Sequence, residues 1–141
     1  RLFPVDFTDA SRQIVPYVRQ IAEPFDCEIH VLFVARIMDY FSSVHIKSES
    51  IQKIEDELLA GASRRLQEFV DLHFADRPDV VSHIASGDAG GEILNYVETH
   101  GIDLVFLGTH GRKGLDRIVF GSVANFVSRA CPVPVFLVNP R

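Results

Sequence analysis

Residues 104–122 read LVFLGTHGRKGLDRIVFGS and contain a pattern typical of a strand, a loop and a helix. The first four residues are all apolar and predict a buried strand, and a loop with three glycines follows them. A helix is predicted to start near Gly121 and Ser122, because apolar residues recur at helical spacing up to Ala130. A strand, a glycine-rich loop and a helix in this order are typical of an α/β domain with a parallel sheet.

The same alternation of strand and helix continues on both sides of this stretch. Strands are predicted at residues 2–5, 29–34, 80–85, 104–107 and 135–138. Apolar residues at helical spacing occupy 14–22, 51–70, 93–97 and 119–130. Pro16 predicts a kink or a late start in the first helix, and residues 36–48 are predicted to form a loop. Residues 1–141 are therefore predicted to be one doubly wound α/β domain with a five-stranded, mostly parallel sheet and about four helices.

Composition and charge exclude several classes of protein. The 141 residues include 14 Lys and Arg against 19 Asp and Glu, and this mildly acidic chain without a basic block is a poor candidate for binding nucleic acid. No apolar run reaches the length of about 18 residues that a membrane-spanning helix needs, so we expect no membrane partner. Residues 1–4 lack the features of a signal peptide, and Cys27 and Cys131 form no CxxC motif, so we expect reduced thiols and a cytoplasmic location.

Two polar or glycine-rich strand exits are predicted to meet at one edge of the sheet. Open parallel sheets bind ligands beyond the carboxyl ends of their strands, where the first and fourth strands commonly lie side by side. The residues after these two strands are 6–8 and 108–114. Gly121 and Ser122 then fall at a helix N-terminus, where free N–H groups favour an anion and the Ser122 hydroxyl adds a donor. These groups would form a triphosphate cradle; alternatively, the glycines only shape a turn and Ser122 only caps the helix.

The glycine spacing resembles the nucleotide-binding signature of the universal stress protein family, Gly-x2-Gly-x9-Gly-Ser/Thr. In this chain it is Gly108-x2-Gly111-x9-Gly121-Ser122. Residues 2–8 (LFPVDFT) are similar to the first strand and acidic exit of that family, and residues 131–135 (CPVPV) to the entry of its last strand. Over its whole length the chain resembles the members that bind ATP, which implies a sheet with strand order 3-2-1-4-5.

The resemblance implies a role for each matched position. Asp6 would lie near the ribose, the backbone at Val34 would contact the adenine, and Val123 would help to hold the phosphates. The implied nucleotide-binding residues are Pro4, Val5, Asp6, Thr8, Val34, Gly108, Thr109, Gly111, Arg112, Gly121, Ser122 and Val123. Mg²⁺ or Mn²⁺ is the expected companion of ATP (or of ADP or AMP), because an Asp close to phosphates repels them unless a cation intervenes. No side chain is assigned as a metal ligand.

The charged and titratable side chains of the loop have two interpretations each. Arg112 and Lys113 would either offset phosphate charge or remain solvated. His110 would either serve as a base for attack of water on the γ-phosphate or pack beside the nucleotide. We assign no catalytic residue, because nothing in the sequence places a base beside its water. His30 and His83 lie on strands that should be neighbours, but the sequence shows no third ligand for a metal.

The last predicted strand indicates a second copy of this chain as partner. An apolar strand at a sheet edge exposes unpaired backbone groups, and a two-fold dimer through Val135–Val138 would satisfy them in both copies. The family resemblance implies the same dimer. We therefore expect a cytoplasmic homodimer that binds ATP and acts as a nucleotide-responsive stress or signalling factor, and not an enzyme. Two alternatives stay open: a dimerisation module that binds no nucleotide, and a slow ATPase.

Overall fold

Strands and helices alternate along the chain because short apolar runs are separated by amphipathic stretches. The computed structural model describes residues 2–5, 9–35, 48–109 and 121–139. The strands are β1 (Leu2–Val5), β2 (His30–Ala35), β3 (Val81–Ser86), β4 (Val105–Gly108) and β5 (Val135–Val138). The helices are α1 (Asp9–Ala22), α2 (Ser48–His73), α3 (Ala89–Thr99) and α4 (Ser122–Ala130). Within these ranges, the predicted α/β class with parallel strands and four helices is confirmed.

The strands lie parallel in the order β3-β2-β1-β4-β5. β2 pairs along its length with β3, and all of β1 pairs with β2. β4 pairs with all of β5, from Val105 opposite Val135 to Gly108 opposite Val138. β1 and β4 are aligned through a single pair, Leu2 with Val105. The sheet therefore consists of two well-paired parts, β3-β2-β1 and β4-β5, that meet at its centre.

Alternate strand residues contribute to two hydrophobic layers, one on each face of the sheet. Val31 and Phe106 pack into the cluster formed with α1 and α2. Leu32, Val105 and Leu107 pack into the cluster formed with α3 and α4. This alternation follows from the period of two in a strand, and it explains why strands covered on both faces are continuous apolar runs in the sequence. Because the strands are parallel, their carboxyl ends lie at one edge of the sheet.

Helix α1 corrects part of the prediction made from Pro16. A late helix start is wrong, because α1 begins at Asp9 and continues through Pro16 to Ala22. Pro16 is exposed, whereas Ile14 and Val18 are at most 2% exposed. Proline removes one backbone hydrogen bond from a helix, and burial of the apolar residues around it offsets that cost.

Three further expectations concern the loop predicted at 36–48, the state of the two cysteines and membrane-spanning helices. Ser48, the last residue of the loop predicted at 36–48, already belongs to α2, and residues 36–47 lie outside the described residues. Cys27 is buried, Cys131 is half-buried, and both are free thiols. None of the helices in the described ranges combines the length and the apolar character needed to cross a membrane.

Arg19 on α1 forms hydrogen bonds with the end of α2 and with Asp76, which follows it. Its guanidinium donates to the backbone oxygen of His73 at 3.1 Å and to both carboxylate oxygens of Asp76. The hydrogen bond lowers the pKa of Asp76 and raises that of Arg19.

The His73 ring packs against Phe69, with 4.6 Å between ring centroids, and its Nε2 is buried without a hydrogen-bond partner in the described part of the chain. Burial, together with the charge of Arg12, lowers the pKa of His73.

As the pH falls from about 7 to about 5, the free energy of unfolding is expected to decrease less in the His73→Phe variant than in the wild type. Because the pKa of His73 is lower in the folded chain, the unfolded chain binds more protons as the pH falls through this range, which favours unfolding. The effect should be below about 1 kcal/mol, since the ring is only partly buried. Urea denaturation of both proteins across this range measures it, and equal pH slopes would contradict the prediction.

Candidate functional site

The N-terminus of α4 is held against the end of β4. The backbone N–H of Gly121, the N-cap of α4, donates to the carbonyl of Thr109, the residue after β4, at 2.6 Å. Gly121 has no side chain that could cap α4, and the first turn of the helix contains no acidic residue. The N–H groups of Ser122 and Val123 therefore lack intrahelical partners. They lie beside the carboxyl edge of the sheet, where parallel sheets bind their ligands.

Helix α3 also starts at this edge, but its own carboxylates occupy its N-terminus. Asp88, its N-cap, accepts from the N–H of Gly91 at 2.9 Å, and Glu92 lies in its first turn. In α4 the charge pattern differs, because Arg129 in the last turn complements the negative end of the helix dipole while the first turn contains no carboxylate. An external anion is therefore stabilised better at α4 than at α3.

The site residues predicted on β1, β2 and β4 lie at this same edge. Pro4 and Val5 are the last residues of β1 and align with the middle of β2. Val34 is half-buried near the end of β2 and packs in the layer with α3 and α4. Gly108 ends β4 opposite Val138, the last residue of β5. The predicted site residues Asp6, Thr8, Gly111 and Arg112, together with His110 and Lys113, lie outside the described residues.

Thr109 joins three elements at the edge. It is 6% exposed, and its N–H donates to the carbonyl of Val138 at 2.9 Å. Its hydroxyl donates to Oδ1 of Asn139 at 3.3 Å, and its carbonyl accepts the N–H of Gly121. Thr109 therefore connects the ends of β4 and β5 to the N-terminus of α4. Its contact with a nucleotide stays a prediction, as do those of Ser122, which is exposed, and Val123, which is half-buried.

At the opposite end of the sheet, three histidines surround Tyr96. Nε2 of His30 donates to the carboxylate of Glu28 at 2.5 Å, and Nδ1 of the same ring is hydrogen-bonded to the Tyr96 hydroxyl at 2.6 Å. Burial, with the charge of Glu28, raises the pKa of Tyr96, so this hydroxyl stays protonated. His100 stacks on Tyr96 with 3.8 Å between centroids, and the His83 ring lies 5.3 Å from it. In the described ranges, no group of three or more His, Cys, Asp or Glu is arranged to hold a metal ion.

Tyr96 and His100 were not predicted to belong to this cluster, although the sequence contains one signal for them. His100 follows Tyr96 by four residues in α3, so the two rings lie on one helix face. That face covers β2 and β3, the strands that carry His30 and His83. Tyr96 at the centre of the cluster brings His30 and His83, which are predicted on neighbouring strands, together with His100 of α3.

A groove of about 410 Å³ lies between α2 and β3, at the edge of the sheet away from α4. Its lining includes Leu66, Gln67 and Ser82, and none of the described residues that line it is Lys, Arg, Asp or Glu. A phosphate group is held by charged side chains or by several aligned N–H donors. The N-terminus of α4 is therefore the better candidate for an anionic ligand.

The sequence of nearly the whole chain matches the model of a known family. A family model described as the universal stress protein family matches residues 2–139. The chain belongs to the universal stress protein family. The resemblance noted from the glycine signature is thereby confirmed.

This universal stress protein is similar to curated and solved relatives over nearly its full length. Universal stress protein MJ0531 of Methanocaldococcus jannaschii is 27% identical over 144 residues, which cover 98% of this chain and 80% of the relative. The solved structure of hypothetical protein MJ0577 from the same organism has a TM-score of 0.84 at 23% identity and covers 99% of this chain and 94% of its own. A universal stress protein family member from Arabidopsis thaliana with AMP bound has a TM-score of 0.66 at 18% identity, covering 99% and 92%.

Proposed function

We propose that this universal stress protein binds ATP at the carboxyl edge of its sheet, with the phosphates at the N-terminus of α4. The observation that carries the proposal is the N-terminus of α4, whose N-cap Gly121 has no capping side chain and which coincides with the Gly121-Ser122 end of the glycine signature. The plant relative with AMP bound has the same fold and supports an adenine nucleotide as the ligand.

Backbone amides would do most of the phosphate binding. The N–H groups of Ser122 and Val123 point along the helix axis toward the edge, and the positive end of the helix dipole adds to their attraction for an anion. The exposed Ser122 hydroxyl would donate to a further phosphate oxygen. Because these donors are built into the backbone, the formal charge of −5 does not oppose binding.

The adenosine half would lie toward β1 and β2. The strand order 3-2-1-4-5 places the end of β1 between those of β2 and β4, so Pro4, Val5 and the backbone at Val34 would face the base and ribose. Asp6, Thr8, Gly111 and Arg112 complete the proposed set. Mg²⁺ or Mn²⁺ would accompany the nucleotide, held mainly by phosphate oxygens.

The partner in this proposal is a second copy of the chain. β5 has β4 as its neighbour on one side, and Phe136 is 39% exposed although it lies on a strand. Pairing of Val135–Val138 in two copies would cover this ring and the free backbone groups of the edge. The homodimer would act in the cytoplasm as a stress factor that responds to nucleotide occupancy, rather than as an enzyme.

Isothermal titration of ATP into nucleotide-free protein tests the proposal. We expect saturable heat at micromolar to millimolar ATP and weaker binding of adenosine, because adenosine lacks the groups that α4 would bind. Mass spectrometry of small molecules that copurify with the protein gives an independent measurement. No heat at millimolar ATP would overturn ATP binding. If that protein still sedimented as a dimer, it would be the dimerisation module.

A slow ATPase is the second alternative. It predicts phosphate release that remains through successive purification steps and disappears in a variant with a blocked α4 N-terminus. ATP binding without such release would favour a protein that responds to nucleotide without consuming it.

A further inference from the structure

The exits of β4 and β5 are joined by a pair of hydrogen bonds at one residue. The Thr109 N–H donates to the carbonyl of Val138 at 2.9 Å, which continues the β4–β5 pairing one residue beyond β4. The Thr109 hydroxyl donates to Oδ1 of Asn139, the first residue after β5, at 3.3 Å. The side-chain bond links residues that are 30 positions apart in the sequence. Together the two bonds fix the orientation of Thr109 relative to β5.

The same residue fixes the start of α4. The carbonyl of Thr109 accepts the N–H of Gly121 at 2.6 Å, and the carbonyl of Gly121 accepts the N–H of Asn125 at 2.9 Å, the first bond of the helix. A rotation of Thr109 would therefore displace the N-cap and change the direction of the free N–H groups of the first turn. Thr109 is 6% exposed, so its surroundings restrict such rotation as long as its hydroxyl keeps its partner.

We propose that Thr109 and Asn139 are positioning residues for the phosphate end of the nucleotide: their hydrogen bond sets the position of the α4 N-terminus relative to β5. The inference rests on the proposed function, since it concerns how the same site is held. Sites of this kind need their donors placed to within about 0.5 Å, and a hydrogen bond behind the donors supplies that precision. Asn139 follows β5 and has no predicted contact with the nucleotide, so its effect would pass through Thr109.

The effect should be specific to the phosphates. The adenosine half would contact β1 and β2, whose pairing does not involve Thr109 or Asn139. Loss of the side-chain hydrogen bond should therefore weaken ATP binding and leave adenosine binding unchanged. A general loosening of the fold would weaken both.

The experiment compares Thr109→Val, which keeps the shape of the side chain but loses the donor, with Thr109→Ser, which keeps the donor. We expect Thr109→Val to weaken ATP binding about three- to tenfold in titration calorimetry, the size of one hydrogen bond. Thr109→Ser should restore ATP affinity to within about twofold. Asn139→Ala should reproduce the loss while its adenosine affinity stays within about twofold of the wild type, and the double variant Thr109→Val/Asn139→Ala should be no worse than either single one.

Amide hydrogen exchange without nucleotide gives a second readout. Protection of the Gly121 amide should fall in Thr109→Val and Asn139→Ala and stay at the wild-type level in Thr109→Ser. Unchanged ATP affinity in both loss variants, or equal losses for ATP and adenosine, would overturn the positioning role while leaving ATP binding intact. A wild-type protein that binds no ATP would instead overturn the proposed function, and this inference with it.

Discussion

Replacing Gly121 with valine is expected to abolish detectable ATP binding, a loss of at least about a hundredfold in affinity, or about 2.7 kcal/mol. Gly121 is the N-cap of α4, so its α-carbon borders the N–H groups of Ser122 and Val123. A phosphate must approach such groups to about 2.9 Å, and glycine allows this because it has no side chain. The two methyl groups of valine would occupy the space that the phosphate needs.

The same substitution should leave the fold intact. Gly121 has φ −57° and ψ 151°, an extended conformation that any residue adopts, and its N–H can still donate to Thr109. The expected loss of stability is about 1 kcal/mol or less, since valine is a poorer N-cap than glycine. Gly61→Val in α2 is the matched control, because the nearest atom to a Cβ there is Arg64 Nη2 at 3.9 Å. Titration calorimetry and thermal unfolding of both variants separate binding from folding, and wild-type ATP affinity in Gly121→Val would reject the cradle.

The element boundaries around the site follow from the local sequence. The apolar run 135–138 is β5, as predicted, because Pro132 and Pro134 stop the preceding helix and the run itself is long enough only for a strand. α4 begins at Ser122, where Gly121 predicts a helix start. Such boundaries depend on backbone preferences of single residues, and these preferences act without any distant partner.

The contacts that hold the site do not follow from the local sequence. Nothing in the local sequence connects Thr109 with Asn139, and only the parallel pairing of β4 and β5 brings the two strand exits together. At Pro16 the local sequence predicts a feature that the structure does not have. The preference of proline predicts a late helix start, but the burial of Ile14 and Val18 overrides it. Tertiary packing decides both cases, and a single sequence records packing only as patterns of apolar residues.

Replacing Gly90 with alanine is expected to destabilise the protein by about 1–3 kcal/mol, the usual cost of overpacking. Gly90 is buried in the first turn of α3, and a Cβ built there would lie 2.5 Å from Cδ1 of the Phe126 ring on α4. Contacts this short do not occur, so either the ring must turn or α4 must move away from α3. Gly91→Ala is the control in the same turn, because its Cβ would meet Asp88 Oδ2 at 3.4 Å, an ordinary contact. Alanine should stabilise the helix there by up to about 1 kcal/mol.

A double-mutant cycle with Phe126→Ala identifies the clash as the cause. If the ring opposes the new methyl group, Gly90→Ala should cost little in the Phe126→Ala background, and the coupling measured by urea denaturation should be about 1 kcal/mol or more. Phe126 is 47% exposed, so the ring has a possible route into solvent. A Gly90→Ala protein as stable as Gly91→Ala would mean that the ring takes this route at no cost. The spacing between α3 and α4 would then be set by Ile93, Val97 and Val127 in the core, and not by the glycine.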